Sequence, residues 1–192
     1  VEGGYELVFA YRTLAKHREI FERAVELDST HPWVDTMRKH SGAGIHVHVG
    51  RRRGEQAMSP EDITAMANLV HMVSNREFIN AIARRRLGSS RYVRAPAGRN
   101  DDGLLGLSGG AVSTTLHEHY TAVNQRDNTV EIRSFASGTA SEALEAMEWG
   151  EALATYATAI NTLEQRYPYR AVDLLDWREL RKFVLARPER WP

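Results

Sequence analysis

The segment Gly44-Ile45-His46-Val47-His48-Val49-Gly50 restricts what this chain can fold into more than any other. Successive side chains of a strand point to opposite faces, so this strict alternation makes a strand with one β-branched face and one face carrying two histidines. The apolar face requires a core against it. The histidine face then looks into water or into a cleft, where two imidazoles side by side can address a metal or a phosphate together. A solvated strand face is the plain alternative.

A second alternating stretch carries different chemistry. Residues 120–124 and 129–135 flank Gln125-Arg126-Asp127-Asn128, which predicts a hairpin with a four-residue turn. In its second arm Val130 and Ile132 face one way and Glu131 and Arg133 the other. An exposed ion pair worth ~0–1 kcal/mol would account for the last two. The functional alternative makes Glu131 a hard oxygen ligand for Mg²⁺ or Mn²⁺ and has Arg133 grip an anion. Residues 5–9 are a further candidate strand.

Helices are announced by their starts. Ser59-Pro60-Glu61-Asp62 offers a cap, a proline suited to the first turn and two acids at the positive end of the helix dipole; Ile63, Met66, Val70 and Val73 follow at helical spacing. A restart at Asn75 would carry Phe78, Ile79 and Ile82. Thr139-Ala140-Ser141-Glu142 is a capping box opening a helix whose stripe of Ala143, Met147, Gly150, Ala154, Ala157 and Ile160 runs until Pro168 forbids continuation. Small residues on that stripe let a sheet or another helix approach closely, which predicts a helix lying flat against the core. Asp176-Trp177-Arg178-Glu179 reads as another capping box, with Trp177, Leu180 and Val184 on one face, and Leu14, Phe21, Ala24 and Val25 mark a helix nearer the start. Half-buried alternating strands interspersed with helices predict an α+β fold, an antiparallel sheet with helices packed on one side. Residues 86–112, rich in Gly, Ser, Arg, Asn and Asp without a period, read as an active-site lid or as disorder.

Composition excludes several function classes. Lys and Arg number 25 against 25 Asp and Glu, so the 192 residues lack the basic excess that drives binding to nucleic acid or an anionic membrane surface. Zero cysteines rule out disulfides, thiol catalysis and thiolate metal sites, and fit a cytoplasmic setting. No apolar run approaches the ~18 residues of a membrane span. Arg51-Arg52-Arg53 and Arg84-Arg85-Arg86 read as solvated or acid-paired surface in a neutral chain. His117-Glu118-His119 is a second His-x-His, whereas His17, His31, His40 and His71 read as structural or surface residues.

Taken together and in order, three segments resemble the amidoligase family of the glutamine synthetase and glutamate–cysteine ligase superfamily, ATP-dependent carboxylate–amine ligases. They are Glu2-Gly3-Gly4-Tyr5-Glu6-Leu7-Val8, Ser41-Gly42-Ala43-Gly44-Ile45-His46-Val47-His48-Val49, and His119-Tyr120 through Asn124 to Thr129-Val130-Glu131-Ile132-Arg133-Ser134-Phe135. The resemblance covers residues 1–165 as a catalytic domain like that of glutamine synthetase and leaves 166–192 as a C-terminal helical extension. It implies Glu6, His46 and Glu131 as metal ligands, Arg133 as the contact to a substrate carboxylate or transferring phosphoryl group, His48 in support and Arg126 as a further phosphate contact. It also implies ATP and Mg²⁺ (or Mn²⁺) as cofactors, and a small-molecule or peptide carboxylate plus an amine as substrates, with no nucleic acid and no membrane partner.

The resemblance is incomplete at one point. The family's opening strand supplies a Glu-x-Glu pair, and none precedes Glu6 here, where only Glu2 is near. With Val1 as first residue, that strand is expected upstream, and its absence would leave a sheet edge through which copies could join as a homo-oligomer. Two other readings stand beside the ligase. One is a Zn²⁺ hydrolase or binding protein using His46, His48 and His117 or His119; the other is a non-catalytic relative kept for assembly or partner binding.

Overall fold

The computed structural model describes residues 13–28, 44–53, 56–86, 121–164 and 171–186. The candidate strand at 5–9, Glu6, the second His-x-His and nearly all of 86–112 lie outside them. Within them the chain runs α1 (Leu14–Asp28), β1 (Gly44–Gly50), β2 (Arg52–Arg53), β3 (Gln56–Ala57), α2 (Pro60–His71), a 3₁₀ turn (Val73–Asn75), α3 (Arg76–Ala83), β4 (Val123–Gln125), β5 (Thr129–Ala136), α4 (Ala140–Glu164), α5 (Ala171–Leu174) and α6 (Trp177–Leu185). This is an α+β fold around an antiparallel sheet of order β1-β5-β4. The short β2-β3 ladder and α5 have no period long enough to be read from sequence.

The starts of α2 and α4 are capped as the sequence predicts. Ser59 accepts from the Asp62 N–H at 3.1 Å while the Asp62 carboxylate accepts from the Ser59 N–H at 2.7 Å, and Thr139 and Glu142 exchange the same pair at 3.2 and 2.6 Å. Asp176 caps α6 by accepting from the Arg178 N–H at 2.7 Å, but Glu179 pairs with Lys182. α3 ends on Arg84 with φ of 50°, a left-handed position for a non-glycine residue. Its guanidinium reaches Glu145 at 2.6 Å and the Glu142 carbonyl at 3.1 Å, so this arginine is acid-paired.

α4 carries the core against the sheet. Ala146, Leu153, Ala154, Ala157 and Ile160 are buried along it, and Gly150 sits so near the strands that a Cβ there would lie 2.8 Å from Val47 Cγ1 and 3.2 Å from Ile132 Cδ1. That contact identifies the Val47, Val49 and Ile132 face as the covered one. α1 and α2 flank α4, with Arg18 of α1 bonded to Glu148 at 2.7 Å. Leu175 and Leu180, from the segment 171–186, belong to the same buried cluster as the sheet valines. Asn75, wholly buried, ties that segment down: its amide donates to the Leu69 and Leu175 carbonyls at 3.0 and 2.7 Å and its oxygen accepts from the Trp177 N–H at 2.9 Å. Phe78 stacks on Trp177 and meets Trp149 edge-on.

Register departs from simple alternation at one place. Gly44 and Ile45 pair with Ala136 and Phe135, but Val47 pairs with Ile132, so β5 spends one more residue than β1 on the same stretch. This is a β-bulge, with Arg133 and Ser134 set against His46. It returns Phe135 to the covered face, where it is 2% exposed; without the bulge, period-two alternation from Ile132 would turn it outward.

Candidate functional site

The face of the sheet turned away from α4 holds a polar cluster centred on Glu131. Register places it: Glu131 is flanked by His48 on β1 and Asn124 on β4, in one row across the sheet. His46 and Arg133 stand in the next row and Arg126 follows Asn124 toward the hairpin turn. That turn is tighter than the sequence predicts, since Gln125 still pairs with Val130 and the Arg126 N–H donates to the Thr129 carbonyl at 2.9 Å, leaving only Asp127 and Asn128 at the tip. A Cβ at Gly44 would lie 3.0 Å from the Phe135 carbonyl oxygen, so the glycine before His46 allows the strands their close approach.

Both carboxylate oxygens are surrounded. Oε1 of Glu131 lies 3.2 Å from His46 Nδ1, 3.3 Å from Arg133 Nη1 and 3.8 Å from His48 Nε2. Oε2 accepts from Arg126 through Nη2 at 2.8 Å and Nε at 3.1 Å, with the Asn124 amide at 3.5 Å. His48 is steadied from its other nitrogen, 3.2 Å from the Thr129 hydroxyl. Glu131 and Arg133 expose only 4% and 8% of their side chains, against 30–39% for His46, His48 and Arg126. The exposed surface ion pair allowed by the sequence is therefore a buried one, which changes its energetics.

Electrostatics follow from this crowding. Burial pushes the Glu131 carboxyl up, but hydrogen bonds from His46 and Arg126 and the charges of Arg133 and Arg126 outweigh it and hold the group down at about 2. Two guanidiniums against one carboxylate leave the cluster with a positive charge even when both imidazoles are neutral. Such a cluster attracts an anion and repels a cation.

Of the residues singled out in the sequence, His46, His48, Arg126, Glu131 and Arg133 are brought together, and Glu6 lies outside the described residues. The anticipated metal ligands are thus represented by one imidazole and one carboxylate already engaged by two arginines. No group of three His, Asp or Glu side chains among the described residues could hold a metal ion. These donors do not by themselves fit Mg²⁺ or Mn²⁺, ions that favour several oxygen ligands. Two imidazoles and one carboxylate are a ligand set that Zn²⁺ accepts, but here both carboxylate oxygens are taken by Arg126 and Arg133, whose charges oppose a cation.

Sequence reasoning missed Asn124, Thr129 and Ser134 as members of the polar face. Asn124 and Thr129 follow from the hairpin register, which Glu131 and its neighbours already imply; Ser134 has no such signal, because only the bulge places it there. No helix among the described residues is long and apolar enough to cross a membrane. Neither protein-family models nor curated proteins nor solved structures give a match to this chain.

Proposed function

We propose that this chain carries the catalytic sheet of an ATP-dependent carboxylate–amine ligase with a fold like the glutamine synthetase catalytic domain. The observation that supports this reading is the convergence of His46, His48, Arg126 and Arg133 on one buried carboxylate, with positive charge in excess. Activation of a carboxylate by ATP brings together phosphate and carboxylate anions, and phosphoryl transfer asks a protein mainly for in-line positioning and neutralisation of oxygens. Arginines are suited to both tasks because their planar forks match carboxylate and phosphate geometry.

In the proposed reaction a carboxylate oxygen attacks the γ-phosphorus, the bond to the ADP oxygen breaks, and an acyl phosphate forms. The amine nitrogen then attacks the acyl carbon, the C–O bond to phosphate breaks, and inorganic phosphate and a proton leave. Arg133, fixed from below by Glu131, holds the acid, and Arg126, on the turn and partly exposed, contacts phosphate. Glu131 acts as the anchor that sets both guanidiniums rather than as a general base, since a carboxyl held at about 2 has little affinity for a proton. His46 and His48 complete the wall. The proposed cofactors are ATP and Mg²⁺ or Mn²⁺, with Glu6 as the ligand sought outside the described residues; the substrates are a small-molecule or peptide acid and an amine, in a cytoplasmic setting.

Hydroxylamine provides the test, because it traps acyl phosphates as hydroxamates. Folded protein is incubated with ATP, Mg²⁺, hydroxylamine and a panel of carboxylic acids. Acid-dependent hydroxamate is expected, falling by ~10² or more in Arg133→Lys, since a charge-stabilising contact is lost. Absence of both ATP binding and hydroxamate with every acid would sink the reading.

A further inference from the structure

The β5 bulge leaves polar atoms that the Glu131 network does not use. Arg133 gives Nη1 to Glu131, but its Nε, on the side-on edge by which a guanidinium takes an oxyanion through two parallel bonds, is buried with no hydrogen-bond partner among the described residues. On the next residue, the Ser134 hydroxyl is likewise buried and unpartnered, in a side chain 3% exposed. Buried donors in folded proteins are nearly always satisfied, so two adjacent orphans require an explanation. Ile132 and Phe135 both belong to the core cluster, so the bulge leaves Arg133 and Ser134 as consecutive residues between them, opposite His46. Bulges of this kind re-aim side chains beside functional sites.

We propose that Ser134 is a substrate-contacting residue: its hydroxyl and the Nε edge of Arg133 together bind one oxyanion, a carboxylate or a phosphoryl group. The inference deepens the ligase reading and rests on it for the identity of the substrate, though not for the existence of the subsite. Chemistry selects the ligand class. A guanidinium edge offers only donors and serine can supply one more, so the complementary group is an acceptor with two or more oxygens and negative charge. Both atoms are sealed from water, and His46, which stands opposite them on the facing strand, keeps 30% of its side chain exposed. A reactive acyl phosphate held at such a place is shielded from hydrolysis.

The test is calorimetric titration of the 192-residue chain, without ATP or metal, using inorganic phosphate in one arm and acetate in the other. Wild type should bind at least one of them, and the arm that binds identifies which oxyanion the subsite takes. Ser134→Ala should weaken that binding at least about tenfold, the effect of losing a hydrogen bond to a charged group, and Ser134→Thr, which keeps the hydroxyl, should restore most of it. The melting temperature without anion distinguishes contact from structure. Removing an unpartnered buried hydroxyl should leave it unchanged or higher, whereas a structural role would lower it. Equal affinity in wild type and Ser134→Ala overturns the proposal, as does a lowered melting temperature in that variant. Binding of neither anion by wild type overturns it too, and leaves the two atoms to a buried water. Serine-dependent anion binding without acid-dependent hydroxamate keeps the subsite and discards the ligase; hydroxamate formation with serine-independent binding does the reverse.

Discussion

Replacing Glu131 by Gln should destabilise the protein by about 3 kcal/mol at neutral pH, a figure reached by two ways of reckoning the same buried interaction. The carboxyl moves from an ordinary 4.5 in the unfolded chain to about 2 in the fold, and at ~1.4 kcal/mol for each tenfold change in proton affinity this is about 3 kcal/mol of stabilisation carried by its charged form. In the other reckoning, removing one member of a buried ion pair leaves its partner uncompensated, at a cost of ~3–5 kcal/mol; Arg133, 8% exposed, would be that partner. Glutamine keeps the shape, so little packing is lost. Because the carboxyl is depressed in the fold, its stabilisation is present above the unfolded value and disappears as pH falls toward the folded one. Urea unfolding of wild type and Glu131→Gln, in EDTA, should thus show a difference near 3 kcal/mol from pH 7 to about 5 that closes progressively toward pH 2. Other carboxylates titrate in both proteins and cancel in the difference. A difference below about 1 kcal/mol at pH 7, or one that does not change with pH, would refute the account of Glu131 as a buried anchor.

Two further substitutions test the frame that holds the site. Asn75→Ala strips partners from the Leu69 and Leu175 carbonyls and the Trp177 N–H, so urea unfolding should show a loss of about 3 kcal/mol, at ~1 kcal/mol or more for each stranded group; a loss under ~1 kcal/mol would mean that the C-terminal helices dock without it. Gly150→Ala adds a methyl 2.8 Å from Val47 Cγ1, and the ~1–3 kcal/mol of overpacking against a stiff β-branched side chain should outweigh the ~1 kcal/mol gained in helix propensity. A raised melting temperature in that variant would contradict the close approach of α4 to the sheet.

How much of this was legible in the sequence depends on the range of the interaction that decides each element. The caps of α2 and α4 close within four residues, and there the sequence is a sufficient guide. Alternation in β1 and β5 sorts Val47, Val49, Val130 and Ile132 from His46, His48, Glu131 and Arg133 correctly, because burial on one face is enforced at every second residue. The degree of burial of Glu131 and Arg133 was not legible: a Glu-x-Arg pair reads the same whether it faces water or sits beneath His46, His48 and Arg126. Ser134 was hidden for a different reason. Its place depends on how β5 pairs with a strand some eighty residues earlier, and no local pattern marks the extra residue.

The bulge connects these two failures of local reading, because one irregularity supplies both the core and the site. A regular β5 that kept Val130 and Ile132 on the core would send Phe135 outward, and one that kept Phe135 inward would turn Glu131 and Arg133 into the helices. Neither is tolerable: the first sets one of the largest fully buried side chains among the charged groups of the other face, and the second buries charge against Val47 and Gly150. The extra residue at 133–134 resolves the conflict by letting the strand change phase between its polar half and its apolar end. It does so beside the carboxylate that holds Arg126 and Arg133 in place. The register that packs Phe135 is therefore also the register that sets Arg133 against Glu131 and makes Ser134 the second residue of the bulge opposite His46, so the geometry of the cluster is held by the hydrophobic core and not by the polar groups alone.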